Sequence, residues 1–339
     1  MFEMEILKGL DEYVKTEHFR SAMGIPAGSE IILKPLAMGE YNVNYTFAHP
    51  EDGSVRVLRA NTGSQMHLDD QIGYEYGALK LLEDCGRTPK AYFVDGSRAK
   101  TDYGIMVMEF LPGKALDYNT ELNLAAPILA DIHSVELKPD CGLIMPAEAG
   151  EAILDECDQM IEKFYQSPLG QVHTKKKIEG MMKKGRRILA DTNPYSGRRC
   201  CINTELNSGN FLINGPDQKN YLVDWEKPLY ADPAQDLGHF LTPTTTFWKT
   251  DVILTRDQRR EFVQEYIRTV DGRYDASGLE ERVNTFIRLN CLRGITWCAM
   301  AWVEYNEPGR AIKNDFTFRK ISAYIQDDFL DNIDRNFLE

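Results

Sequence analysis

The chain has 339 residues, 43% of them hydrophobic and 27% charged, and carries a net charge of −13. That length suits two lobes better than one core, and the acidic balance argues against the broad basic face that general nucleic-acid binding needs. No apolar run approaches the roughly 20 residues that span a bilayer, and the acidic opening MFEMEILKGLDEYVKTEHF is neither a signal nor a transit peptide. A cytoplasmic protein without a membrane partner is expected.

In chain order, Ile6, Leu7, Leu10, Tyr13 and Val14 recur at helical spacing and predict a helix over residues 1–20. A strand-rich block follows: Ile31 to Leu33, Asn42 to Phe47, a turn at Pro50-Glu51-Asp52-Gly53, and Val55 to Arg59. Polar and charged residues between these runs predict an antiparallel sheet with one wet face. Residues 69–83 read as a helix on Ile72, Ala78, Leu79 and Leu82, and two more apolar strands follow, Ala91 to Val94 and Gly104 to Phe110. Pro112 and Gly113 end the second, which sets the lobe boundary: 1–111 and 112–339.

The second lobe reads as largely helical, with helices expected over 122–135, 152–165, 174–189, 256–270 and 279–305. The helix over 174–189 carries Lys175, Lys176, Lys177, Lys183, Lys184, Arg186 and Arg187 above an apolar stripe, which reads as a solvated face. The stretch Thr242 to Trp248 reads as an irregular polar and aromatic pocket wall. The helix over 279–305 is apolar nearly all round and should be central; Arg293, Trp297 and Glu304 share one of its faces. The seven cysteines, Cys85, Cys141, Cys157, Cys200, Cys201, Cys291 and Cys298, are odd in number and lack C-x-x-C spacing, so reduced, mostly buried thiols are expected.

The segment from Ile202 to Phe240 organises the rest. Phe211-Leu212-Ile213, the turn at Asn214 to Asp217 and the return Tyr221 to Trp225 form a hairpin. Antiparallel pairing sets Asn210, before the first strand, and Asp224, near the end of the second, at the same end of the ribbon. Glu205 lies five residues before Asn210 on an irregular loop. Oxygen ligands of this kind suit magnesium, which takes few protein ligands and completes its shell with water and phosphate.

This order of parts resembles the catalytic segment of the aminoglycoside phosphotransferase and choline kinase group, relatives of the protein kinases. The family form is His-Gly-Asp-x-x-x-x-Asn, a hairpin, then Asp-x-Glu or Asp-x-Asp; this chain has Asn203-Thr204-Glu205-Leu206-Asn207-Ser208-Gly209-Asn210 and later Asp224-Trp225-Glu226. The resemblance implies an α+β, two-lobed protein kinase-like fold with an antiparallel-sheet N-lobe and a helical C-lobe. It implies that Asn210 and Asp224 hold Mg2+ against the phosphates of ATP, and that Asp236 braces the loop. Glu205 stands where the family has its aspartate, and Asn203-Thr204 replaces His-Gly. Arg59 falls at the third-strand position of the phosphate-pairing base, with Glu75 as its helix partner; a solvated strand charge is the local alternative. Met38 to Asn42 falls where the family has its phosphate-covering loop, including Gly39, and a plain hairpin turn is the local alternative. Glu109 and Leu111 fall at the hinge that binds adenine through main-chain groups. Trp297 and Trp302 fall where choline kinase-like proteins have a tryptophan-rich helix. Trp248, Glu226 and Glu304 join Trp297 as candidate acceptor contacts.

Phosphoryl transfer needs the metal placed, the phosphate charge neutralised and the acceptor hydroxyl oriented, and the chain offers a candidate for each. The expected function is ATP-dependent transfer to a hydroxyl of a small molecule, with an aminoglycoside- or choline-like cation as one option. The alternative is a catalytically silent nucleotide-binding protein that acts through a partner, since Glu205 is one methylene longer than the family base.

Overall fold

A computed structural model describes residues 9–39, 41–307 and 314–339. The expectations for Ile6, Leu7 and Glu40 lie outside them. The chain divides into two compact units whose segments interleave: Met1–Ala115, Val135–Leu143 and Asn210–Pro228 in the first, and Leu116–Ser134, Ile144–Gly209 and Leu229–Glu339 in the second. The fold is the two-lobed α+β arrangement anticipated from the sequence.

The first unit is built on an antiparallel sheet of β1 (Lys34–Met38), β2 (Asn42–Ala48), β3 (Val55–Asn61), β4 (Ala91–Asp95) and β5 (Gly104–Glu109), in the order β1-β2-β3-β5-β4. Strand alternation assigns its two faces. Val43, Tyr45 and Phe47 of β2 and Leu58 and Ala60 of β3 join Leu10, Tyr13, Val14 and Phe19 in one apolar core. Asn42 and Asn44 point the other way, in register with Asn61 and Arg59. The β2–β3 turn is where the sequence placed it, with Gly53 at φ 68°.

Two expectations fail here for local reasons. The N-terminal helix does not run through to residue 20: residues 9–13 are helical, the chain then breaks, and Thr16 caps a new helix, α1 (Glu17–Met23), by accepting from the Phe19 amide. The first strand is not Ile31 to Leu33 but Lys34–Met38, every residue of which is exposed, so an edge strand left no apolar alternation to read. Helix α2 (Gln71–Leu82) starts where Asp70 accepts from the Gly73 amide.

Past β5 the chain makes a short ribbon. Lys114–Ala115 pairs with Phe211–Ile213, which pairs in turn with Tyr221–Leu222. Gly113 enters this ribbon at φ 143°, and a Cβ there would lie 2.7 Å from the Leu212 carbonyl carbon. Only glycine fits both the angle and the approach.

The second unit is helical: α3 (Ala125–His133), α4 (Ala149–Gln166), α5 (Val172–Ala190), α6 (Pro233–Leu241), α7 (Pro243–Thr250), α8 (Arg256–Val270), α9 (Leu279–Asn306), α10 (Asp315–Tyr324) and α11 (Asp327–Ile333). The 28-residue α9 is its axis, with α4 and α6 packed most extensively against it. Thr242 to Trp248 is not irregular. Proline at the first position pre-sets the helical φ, so α7 starts at Pro243 directly after α6. Nor is the cationic face of α5 simply solvated. Lys177 pairs with Asp327 and Asp331 at 2.9 and 2.7 Å, Lys184 with Asp334 at 2.7 Å, and Arg186 with Glu151 at 2.9 Å. The acids of the C-terminal helices and α4 answer those charges. No described helix is long and apolar enough to cross a membrane. All seven cysteines are free thiols, and five of them are buried.

Replacing Gly113 by Ala should destabilise the protein by more than about 1 kcal/mol in urea-unfolding measurements, because the new methyl meets backbone rather than a yielding side chain.

Candidate active site

In the first unit, alternation along β3 turns Arg59 away from the apolar core, toward α2, where Glu75 waits. The two side chains are nearly fully buried and bonded through Arg59 Nη1 and Glu75 Oε1. Arg59 Nε also donates to Asn44 Oδ1 at 3.0 Å, and Nη2 reaches Asp224 Oδ1 at 3.5 Å. Burial alone would lower the pKa of Arg59, but Glu75, Asp224 and Glu226 outweigh it and raise it, so the guanidinium stays charged.

The ribbon delivers Asp224 and Asn210 together. Phe211 faces Leu222, and one step further the Val223 amide donates to the Asn210 carbonyl at 2.9 Å. Asp224 follows with φ 67°, a left-handed turn for a non-glycine residue that ends the strand and leaves its carboxylate 41% exposed. Trp225 anchors the turn, fully buried, with Nε1 donating to Leu222 O.

Glu226 belongs to this same cluster. Asn42 Nδ2 donates to its Oε1, and Gln71 Nε2 donates to its carbonyl at 2.7 Å. Burial first, then the neighbouring Asp224, pushes its carboxyl up to about 7. One guanidinium thus meets three carboxylates, all on oxygen-rich ground. Among the described residues no three acids, histidines or cysteines form a metal cluster. The pair Asn210 and Asp224 is nonetheless the kind of sparse, hard-oxygen set that magnesium accepts when phosphates and water supply the rest. The excess negative charge around Arg59 favours a divalent cation there.

Gly39 closes a tight turn from β1 to β2, its amide donating to Asn42 O at 2.8 Å. At the end of β5, the Glu109 amide donates to Lys90 O at 2.8 Å and its carboxylate accepts from the Lys90 amide at 3.2 Å, while Leu111 is buried.

In the second unit, the short strand Cys200–Ile202, paired with Leu229–Ala231, leads into the loop of Glu205. Asp236, fully buried on α6, accepts from the Asn203 and Thr204 amides, both at 2.7 Å. It also bonds His133 Nε2 at 3.2 Å, and His133 Nδ1 lies 2.8 Å from the Tyr266 hydroxyl. A carboxylate only accepts, so Nε2 carries the proton. Thr204 sits at φ 69°. It occupies the family's glycine position and keeps the glycine conformation, a strained arrangement for a β-branched residue.

Glu205 is half-buried, its amide donating to Asn203 Oδ1 at 3.2 Å. Arg293 lies near enough for Glu205 to help hold it protonated. Burial opposes that charge, and Glu156, bidentate to Arg293 at 2.7 and 3.2 Å, is the main force sustaining it. Glu304 is engaged by Lys163 at 3.3 Å. Two of the three residues expected to share a face of α9 therefore bind α4, and Trp297, 39% exposed, packs edge-to-face on Trp248 at 5.4 Å. Trp302 packs against Phe164. Sequence reasoning missed Asn42, Asn44 and Gln71 as parts of the Arg59 cluster, although it gave a signal for the first two in the polar alternation of β2. It gave none for Glu156 and Lys163.

A two-lobed fold with an Arg–Glu pair between sheet and helix and an Asn/Asp ribbon is kinase-like. The profile of the phosphotransferase enzyme family (APH) matches residues 32–278, and the chain belongs to that family. Its fold is similar to that of a spectinomycin phosphotransferase solved with ADP and spectinomycin (TM-score 0.61, 11% identity, 90% of this chain and 93% of the other). It is similar as well to an ethanolamine kinase from Plasmodium vivax (0.63, 12%, 94% and 87%). A choline kinase from Cryptosporidium parvum Iowa II gives 0.62 and 13% over 99% and 98% of the two chains. No curated protein sequence matches this one significantly.

Thr204→Gly should relieve the left-handed strain and raise unfolding free energy by about 1 kcal/mol, read as a higher urea midpoint with an unchanged slope.

Proposed function

We propose that the protein transfers the terminal phosphoryl group of ATP to a hydroxyl of a small molecule. The observation that supports this best is the link from Arg59 to both Glu75 and Asp224, with Asn210 at the same ribbon end. It joins the phosphate-neutralising charge to the metal-binding pair. Arg59, whose fork is held by Glu75, Asn44 and Asp224, would neutralise nucleotide phosphates by its charge, and the hinge at Glu109 to Leu111 receives the base through main-chain groups. Asn210 and Asp224 would hold Mg2+, which supplies charge neutralisation on the phosphates. Glu226, kept in place by Asn42 and partly protonated near neutral pH, gains negative charge as a cation draws its proton off.

Glu205 is the group for the acceptor hydroxyl. Its carboxylate orients the nucleophile and takes the proton as the oxygen–phosphorus bond forms and ADP leaves. The loop geometry that places it is held by Asp236 and does not depend on the family's histidine. Trp248 and Trp297 offer aromatic faces to the acceptor, which suits an amine-bearing alcohol. Spectinomycin, ethanolamine and choline, named for the structural neighbours, are members of that class. A cytoplasmic setting fits ATP as donor and seven cysteines outside any disulfide.

The silent alternative rests on the replaced Asn203-Thr204-Glu205, and two variants separate it from the active reading. With Mg2+, ATP and a panel of amino alcohols, Asp224→Asn should cut ADP formation by about 100-fold or more. Glu205→Asp should also lose about 100-fold, since withdrawing the carboxylate by on the order of 1 Å spoils the approach. Wild-type protein that shows a nucleotide-dependent melting shift but no turnover with any alcohol would support the silent reading instead.

A further inference from the structure

The second unit encloses a cavity of about 320 Å3 that none of the residues assigned above to phosphoryl transfer lines. That volume is at the low end of the roughly 300–1,000 Å3 of small-molecule sites. One wall is apolar, from Leu189 of α5 and Phe286 and Leu289 of α9. The other is charged, with Arg199 and Arg282 beside the acids Glu148, Glu151 and Asp232, and Glu151 is engaged by Arg186 at 2.9 Å. Arg282 is committed: Nε donates to Asp232 at 2.7 Å, Nη1 to Ser277 O at 2.9 Å, and the guanidinium lies 4.2 Å over the Tyr195 ring. Arg199 is half-buried at the cavity wall, and among the described residues no carboxylate lies within ion-pair reach of it.

A guanidinium taken partly out of water without a counter-ion costs free energy that an anionic ligand recovers through a charge-assisted, bidentate bond. Helix α4 begins at the same cavity with Ala149 and Gly150, and its N-cap residue Glu148 makes no side-chain capping bond. The exposed Glu148 carboxylate at the rim sets a limit. With Glu151 held by Arg186 and Asp232 by Arg282, Arg199 is the half-buried cation at this cavity with no carboxylate in reach among the described residues, and the acids around it disfavour a phosphate dianion.

We propose that this cavity binds a small organic acid, with its carboxylate on Arg199 and a flat apolar body against Leu189, Phe286 and Leu289. The probe is 2-naphthoate, titrated calorimetrically into the full-length protein, with the uncharged 2-naphthamide as control. Wild type should bind one equivalent of naphthoate with Kd below about 1 mM, and the amide should bind at least tenfold more weakly. Arg199→Met should lose at least tenfold in naphthoate affinity while keeping the wild-type melting temperature. Thr285→Trp, which fills the cavity from α9, should abolish binding, and it carries the test alone if Arg199→Met fails to fold. Absence of naphthoate binding to wild type, equal affinity for acid and amide, or unchanged affinity in both variants would overturn the assignment.

Discussion

A charged guanidinium, removed from water at Arg59, governs the first unit. Such a charge persists only where carboxylates meet it with good geometry and its other protons find acceptors. Here Glu75 supplies the buried counter-charge, Asn44 accepts from Nε, and Asp224 takes what remains. The arrangement costs desolvation and returns position. It fixes helix α2 against the sheet and ties the ribbon end to both. Asp224 is held at the edge of that network with its carboxylate still open to solvent.

A second network does comparable work around Glu205. Tyr274, Tyr266, His133 and Asp236 form a buried chain of polar contacts that ends on the Asn203 and Thr204 amides. It holds a left-handed threonine that the local sequence disfavours. Burying four polar side chains to restrain two backbone amides makes sense only if the position of the next residue matters. The network therefore fixes the backbone that leads into Glu205.

Much of this was readable in advance where the signal is local. The turn at Pro50 to Gly53, the period-two pattern of β2, the helix over 256–270 and the hairpin after Asn210 rest on neighbours a few residues apart. The unread parts are of two kinds. Exposed β1 and the fully bonded threonines of α7 carry no burial pattern. Contacts such as Asn42 with Glu226, 184 residues apart, and Lys163 with Glu304, 141 apart, have no local trace at all. The first pair sets Glu226, expected as an acceptor contact, beside the Arg59 cluster. The second engaged Glu304, which shared a helical face with Trp297 in the sequence.

The interleaving of the two units has a consequence for synthesis. Arg59 and Glu75 emerge from the ribosome early, but Asp224 lies 165 residues beyond Arg59. At elongation rates of about 5–20 residues per second, that interval is on the order of ten seconds or longer. During it the nascent sheet holds its cation with one counter-charge and no ribbon. The first unit therefore matures only after much of the second has been translated, and a fragment ending near residue 112 would be a sheet without the ribbon that carries Asn210 and Asp224.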